Sequence, residues 1–226
     1  MYGNKKIICL ILARGGSKGV PGKNIKLLND KPLIEHPIIQ AKKSKFIDEI
    51  HVSTDCPKIS KVCKNLSVKV THRPKHLAED SSPDIDAFKH FCFENKIEDI
   101  IVHLRATTPL IKSEIVDKAI DKFLNNKCDS LRSGHETPES VLKYFFKNNG
   151  FWAPISSFNQ SNKPRQLLQK TYCPNGYVDI VDPKYFMQEG NTLHGNKILS
   201  FVTEYSHEID TLEDFNYLEY KVKNNV

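Results

Sequence analysis

The feature that most constrains this chain is a nearly continuous apolar run, Lys6 to Ala13, that leads without a break into ARGGSKGVPGKN, residues 13–24. Apolar residues that follow one another rather than alternate belong to a strand covered on both faces, as in a parallel sheet. A turn directly after such a strand lies at the sheet end where open parallel sheets bind ligands. Four glycines (Gly15, Gly16, Gly19 and Gly22) fall within eight positions, so the backbone can come close to a ligand. Successive main-chain N–H groups in such a turn make a concave anion site. Arg14, Lys18 and Lys23 surround it with positive charge. Arginine suits bidentate phosphate contacts and lysine acts as a point charge. The spacing is neither the Walker loop nor the dinucleotide GxGxxG. It points to a triphosphate cradle, with a flexible surface loop as the plain alternative.

The rest of the chain supplies matching strands. Glu49–Thr54, Ser67–Thr71, Asp99–Leu104, Gly176–Val181 and Lys197–Thr203 read as strands. Between them, Ile85, Phe88 and Cys92, and then Ile115, Ala119 and Phe123, are spaced as apolar stripes of two helices. Strand, helix, strand in this rhythm predicts an open, mostly parallel α/β sheet with helices on both faces. Ile34, Ile38 and Ala41 suggest a helix that contains Pro37, so it either starts near His36 or has distorted first turns. A last helix spans Leu212 to Val222. From about 135 to 171 the alternation fails. Pro138, Pro154 and Pro164 interrupt a stretch carrying Tyr144, Phe145, Phe146, Phe151 and Trp152. Clustered aromatics in a polar, proline-broken segment predict an arm that leaves the sheet and packs on something else. Residues 1–226 are read as one domain bearing this inserted arm.

Bulk properties narrow the function. A net charge of +6 fits an anionic small substrate as well as nucleic acid. The lysines form no long basic run and no aromatic RNA-binding signature accompanies them, which argues against nucleic acid. The six cysteines include no CxxC pair, so they read as scattered thiols rather than zinc ligands or a disulfide framework. No apolar run approaches the roughly 20 residues of a membrane span. The run before Ala13 ends in a glycine loop rather than a cleavage site. A cytoplasmic location without membrane attachment is the expectation.

Six motifs in order carry a family resemblance. ILARGGSKGVPGKN is followed by STD at Ser53–Asp55, RPKHLAEDSS at Arg73–Ser82 and LRATTPL at Leu104–Leu110. RQ at Arg165–Gln166 then precedes PNG at Pro174–Gly176, and EIDT closes the set at Glu208–Thr211. This order resembles the acylneuraminate cytidylyltransferases, the CMP-sialic acid synthetases. The resemblance implies a Rossmann-like nucleotide-diphospho-sugar transferase fold. It implies CTP held by Leu12, Ala13, Arg14, Gly15, Ser17, Lys18, Lys23 and Asn24, with Arg73 and Ser82 reading cytosine. On local grounds Ser82 suits a helix N-cap equally well. Mg²⁺ is implied at Asp210 and Glu208; an N-cap role at the last helix is the alternative. Arg14, Lys18, Lys23 and Asp210 would carry catalysis, with Asp210 acting through the metal and Lys23 on the leaving charge. The reaction implied is attack by a sugar's anomeric hydroxyl on the α-phosphorus of CTP, expelling pyrophosphate, with no covalent enzyme intermediate. The arm would make the chain a homodimer.

The sugar side departs from the family pattern. Arg105 stands where glutamine is usual and Asp179 where sialic-acid enzymes tend to carry tyrosine. This pairing resembles the legionaminate branch. Arg165, Gln166, Asn175, Tyr177, Asp179 and Arg105 are the implied sugar-binding residues, and the partner would be an acidic nine-carbon sugar. Arg165 is the implied partner of the sugar carboxylate, while Arg105 could pair with that carboxylate, with a phosphate, or within a buried ion pair. Tyr177 could equally be core. Pseudaminate or Kdo cytidylyltransferases, sugar-1-phosphate nucleotidyltransferases and non-enzymatic nucleotide-binding modules are the competing classes.

Overall fold

The computed structural model describes residues 5–188 and 192–224. In chain order the elements are β1 (Ile7–Leu12), β2 (Leu27–Leu28), β3 (Lys31–Pro32), α1 (Glu35–Lys43), β4 (Glu49–Thr54), α2 (Pro57–Asn65), β5 (Lys69–His72), α3 (Asp84–Asn95), β6 (Ile100–His103), α4 (Ser113–Leu124) and β7 (Ser130–Glu136). They continue with β8 (Phe145–Asn148), β9 (Phe151–Pro154), α5 (Phe158–Asn162), β10 (Tyr172–Val181), α6 (Pro183–Phe186), β11 (Ile198–Val202) and α7 (Leu212–Asn224).

The seven-stranded sheet has the order β11-β7-β10-β6-β1-β4-β5. Every neighbouring pair is parallel except those made by β10, which runs antiparallel to both β6 and β7. The mostly parallel α/β expectation therefore holds. Alternation along β1 divides the core. Ile7, Cys9 and Ile11 join Ile38, Ile59, Val116, Ala119, Phe215 and Leu218 on one face. Ile8 and Leu10 join Phe88, Phe91 and Phe186 on the other. Helices thus cover both faces.

Pro37 is the third residue of α1, which begins at Glu35. The first four N–H groups of a helix have no partner within it, so proline costs nothing there. The stripes shift slightly from expectation. α4 buries Val116, Ala119, Ile120 and Phe123 while Ile115 is half-buried. α3 buries Ala87, Phe88, Phe91 and Cys92.

The strand pair β7 and β10 extends past the sheet and opens into the predicted excursion. Its neck is closed by the Thr137 N–H donating to the Thr171 carbonyl at 2.9 Å and by the two threonine hydroxyls at 2.6 Å. Beyond it, β8 and β9 form a hairpin. Phe146, Phe151 and Trp152 on it, and Phe158 at the start of α5, are all more than 60% exposed.

Candidate active site

β1 has β4 and β5 on one side and β6 on the other. The chain reverses its winding at β1, and the crevice beyond the carboxyl ends of β1 and β6 is the switch point where open α/β sheets take ligands. A cleft of about 300 Å³ lies there. Leu12, Arg14, Ser17, Lys23 and Asn24 line it from β1 and the glycine loop, and Arg73 and Ser82 from the segment after β5. His103, Arg105 and Thr107 line it from the end of β6.

The loop is tied down on three sides. Asn24 is buried and its Nδ2 donates to the Arg14 carbonyl at 2.9 Å. The Gly15 N–H donates to Asp55 Oδ1 at 2.8 Å, so this amide, expected to face phosphate, is already used. The Ala13 N–H is likewise taken by the Ser53 carbonyl at 3.0 Å. Lys23 Nζ donates to the Ile209 carbonyl at 2.6 Å and lies 3.5 Å from Asp210 Oδ1. Lys18 is 89% exposed and stands outside the cleft wall. Its ammonium is 2.5 Å from Asp80 Oδ2, while Arg14 Nη1 is 2.6 Å from Asp80 Oδ1. Those two contacts, Lys18 first, hold the Asp80 carboxyl below its ordinary range.

Arg73 is buried, and burial lowers its pKa against the opposing pull of Asp55 and Asp84. Its Nε has no hydrogen-bond partner among the described residues. Ser82 is no N-cap, since that position of α3 is Pro83. The Ser82 hydroxyl donates to the His76 carbonyl at 2.7 Å and so closes its own loop at the cleft edge.

The terminal carboxylates separate from the capping alternative. Thr211 and Asp214 cap α7 reciprocally: the Thr211 N–H donates to Asp214 Oδ2 at 2.8 Å, and the Asp214 N–H to Thr211 Oγ1 at 3.2 Å. Asp210 keeps its carboxylate 73% exposed beside Lys23. Glu208 Oε1 accepts from the Thr107 hydroxyl at 2.9 Å. Ile209 between them is fully buried, which turns both acids away from the core. Among the described residues no group of three or more His, Cys, Asp or Glu converges as a metal cage.

The expected sugar-side residues scatter. Arg105 lines the cleft, with Nη2 2.9 Å from Asp179 Oδ2. Asp179 itself is 2% exposed, behind Arg105 and 3.7 Å from Arg132 Nε. The implied sugar-binding role of Asp179 is therefore not a direct one: this carboxylate is enclosed by two arginines. The buried Asn175 amide is spent internally, accepting from the Ser133 hydroxyl at 2.8 Å and donating to the Thr203 hydroxyl at 2.7 Å. Tyr177 is half-buried, and its hydroxyl accepts from the Lys112 N–H at 2.9 Å. Arg165 and Gln166 are exposed on the excursion and do not line the cleft.

Residues 8–220 match the family described as Cytidylyltransferase. The chain belongs to the cytidylyltransferase family. It is 30% identical over 213 residues to N-acylneuraminate cytidylyltransferase of Streptococcus agalactiae serotype V, an alignment covering 93% of this chain and 52% of that protein. The chain thus spans about half the length of that relative. It is 30% identical to Post-translational flagellin modification protein B of Campylobacter coli, over 96% of this chain and 95% of that one. It is 29% identical to pseudaminic acid cytidylyltransferase of Campylobacter jejuni, over 96% and 97% respectively. In fold it is similar to CMP:2-keto-3-deoxy-manno-octonic acid synthetase complexed with CTP, with a TM-score of 0.76 and 17% identity over 98% of this chain and 100% of that one. Among the described residues no helix is long and apolar enough to cross a membrane.

In this cytidylyltransferase-family chain, sequence reasoning missed three contributors. Asp80 bridges Arg14 and Lys18, Asp55 orders the loop through Gly15, and Thr107 holds Glu208. All three lie inside motifs quoted above, RPKHLAEDSS, STD and LRATTPL. The signal was present, but each partner is far away along the chain.

Proposed function

We propose that the protein transfers CMP from CTP to the anomeric hydroxyl of an acidic nine-carbon 2-keto-3-deoxy sugar of the legionaminate or sialate type. The sugar oxygen attacks the α-phosphorus, the bond from that phosphorus to the bridging oxygen breaks, and pyrophosphate leaves. The observation that carries this reading is the meeting of two cationic walls across one cleft. Arg14 and Lys23 stand on the β1 side and Arg105 on the β6 side. One suits a triphosphate and the other a second anion. Arg73 and Ser82 line the same cleft, and this reading gives them the base. Such a reaction asks mainly for positioning and charge neutralisation. The names of two relatives, N-acylneuraminate and pseudaminic acid cytidylyltransferase, support cytidylyl transfer to an acidic sugar.

Mg²⁺ fits the donor set. Exposed Asp210 and nearby Glu208 offer oxygen ligands without a complete cage, as suits an ion that keeps waters and borrows phosphate oxygens. Bound there, it would supply charge neutralisation and activation of the attacking hydroxyl. The exposed aromatics of the excursion support a homodimer, and light scattering that returns a monomer at micromolar concentration refutes it. Cytoplasmic location is part of the same proposal.

The test is a panel of CTP, ATP, GTP and UTP against legionaminate, neuraminate, pseudaminate, Kdo and glucose 1-phosphate, read by pyrophosphate release. Release with CTP and a nine-carbon acid is expected. Release with a sugar 1-phosphate instead defeats the reading.

A further inference from the structure

Building on the acidic-sugar reading, we propose that Asp179 is a positioning residue that acts through Arg105, making that arginine the reader of the sugar carboxylate, with Gly176 setting where its guanidinium lies. Asp179 stands on β10 opposite His103 of β6 and Arg132 of β7. Its oxygens face Arg105 at 2.9 Å and Arg132 at 3.7 Å. One buried carboxylate between two guanidiniums leaves the cluster one net positive charge. Neither Asp179 oxygen has a hydrogen-bond partner among the described residues, so the two guanidinium charges are what offset its burial.

Of the three, Arg105 lines the cleft. Its Nη1 is buried with no hydrogen-bond partner among the described residues. Gly176 has φ +60, and a Cβ there would lie 3.0 Å from Arg105 Nη1 and 3.1 Å from its Cδ. The bare backbone therefore packs flat against the guanidinium and leaves it little freedom. His103 shares the wall, but burial, and after it the charge of Arg105, keeps its pKa well below the ordinary range. The positive charge on this wall therefore belongs to Arg105. With Nη2 on Asp179 and Nη1 against Gly176, the guanidinium is fixed at the wall, and its charge there matches a carboxylate in the cleft. The triphosphate of that reading has Arg14 and Lys23 on the opposite wall.

The experiment measures KM for CTP and for whichever acid among N,N′-diacetyllegionaminate, N-acetylneuraminate, pseudaminate and Kdo the wild type turns over with Mg²⁺. Asp179→Asn is expected to raise the sugar KM about tenfold and leave the CTP KM within about twofold. In an Arg105→Gln background, adding Asp179→Asn is expected to change nothing more, since coupled residues are not additive. Gly176→Ala leaves the charges intact and is expected to raise the sugar KM as well. Additive losses mean that Asp179 meets substrate itself, and an equal rise in the CTP KM means that the anion is a phosphate; either overturns the proposal. So does an unchanged sugar KM in folded Asp179→Asn, or in Gly176→Ala should the first variant fail to fold. A wild type inactive with every acid overturns the underlying reading instead.

Discussion

Gly19 packs so closely on the main chain of Asp210 that a Cβ there would overlap the Asp210 carbonyl oxygen. The glycine loop and the terminal carboxylate segment are thus held in direct contact, with Lys23 bonded to the neighbouring Ile209 carbonyl. Gly19→Ala must push the two segments apart. A displacement of about 1 Å between groups that share one reaction costs on the order of a hundredfold in rate. Turnover, followed by pyrophosphate release, is therefore expected to fall by at least about tenfold, with a lower melting temperature as well, because Val20 and Ile209 beside the contact are buried in the core.

Asp210 and Asp214 are four residues apart and have different tasks. Asp214 completes the α7 cap with Thr211. Asp214→Ala is expected to cost about 1 kcal/mol of stability, the usual worth of a cap, measured by denaturant unfolding. Asp210→Ala removes an exposed carboxylate that takes no part in the cap. It is expected to abolish Mg²⁺-dependent turnover and leave the unfolding midpoint in place. Retained turnover rejects Asp210 as a metal ligand.

The contrast between β1 and β7 shows how much of the fold was legible. β1 was evident because nearly every residue is apolar and buried. β7, SLRSGHE, was not, because its buried positions include Ser130 and Ser133. Their hydroxyls donate to the His194 carbonyl and to Asn175 Oδ1. A small hydroxyl that finds its partner inside the protein looks, in sequence, like one facing solvent. The candidate site divides the same way. Arg14, Ser17, Lys23 and Asn24 sit within one short loop, so their convergence was readable. The enclosure of Asp179 depends on which strands flank β10, and nothing local in NGYVDI states that.

Glu49, at the start of β4, latches three strands by accepting from Lys6 of the preceding β1 segment at 2.6 Å, from Lys69 of β5 at 2.5 Å and from His51 at 3.2 Å. Lys6, then Lys69, draw its pKa from the ordinary 4.5 down to about 2. A carboxyl whose pKa is lower folded than unfolded gives its full stabilisation above the unfolded value and loses it as pH falls through the folded one. The latch is therefore complete above about pH 4.5 and released by about pH 2. Glu49→Gln is expected to lower the melting temperature at neutral pH, and the gap from wild type is expected to close over that acid window. A gap that stays constant with pH would show that the latch works by packing rather than charge.

Asp80 holds the two cations that a triphosphate would need, Arg14 on one oxygen and Lys18 on the other. An incoming nucleotide has to displace this carboxylate or share its partners, and like charges resist sharing. Asp80→Asn keeps the shape and removes the charge. Titration calorimetry is expected to show CTP binding about threefold tighter at low salt, a modest gain because these groups are open to solvent and screened. The advantage is expected to shrink as salt is raised. Weaker binding in the variant would mean instead that Asp80 organises Arg14 and Lys18 for the phosphates, and the same salt series separates the two, since lost organisation persists at high ionic strength where a relieved repulsion does not.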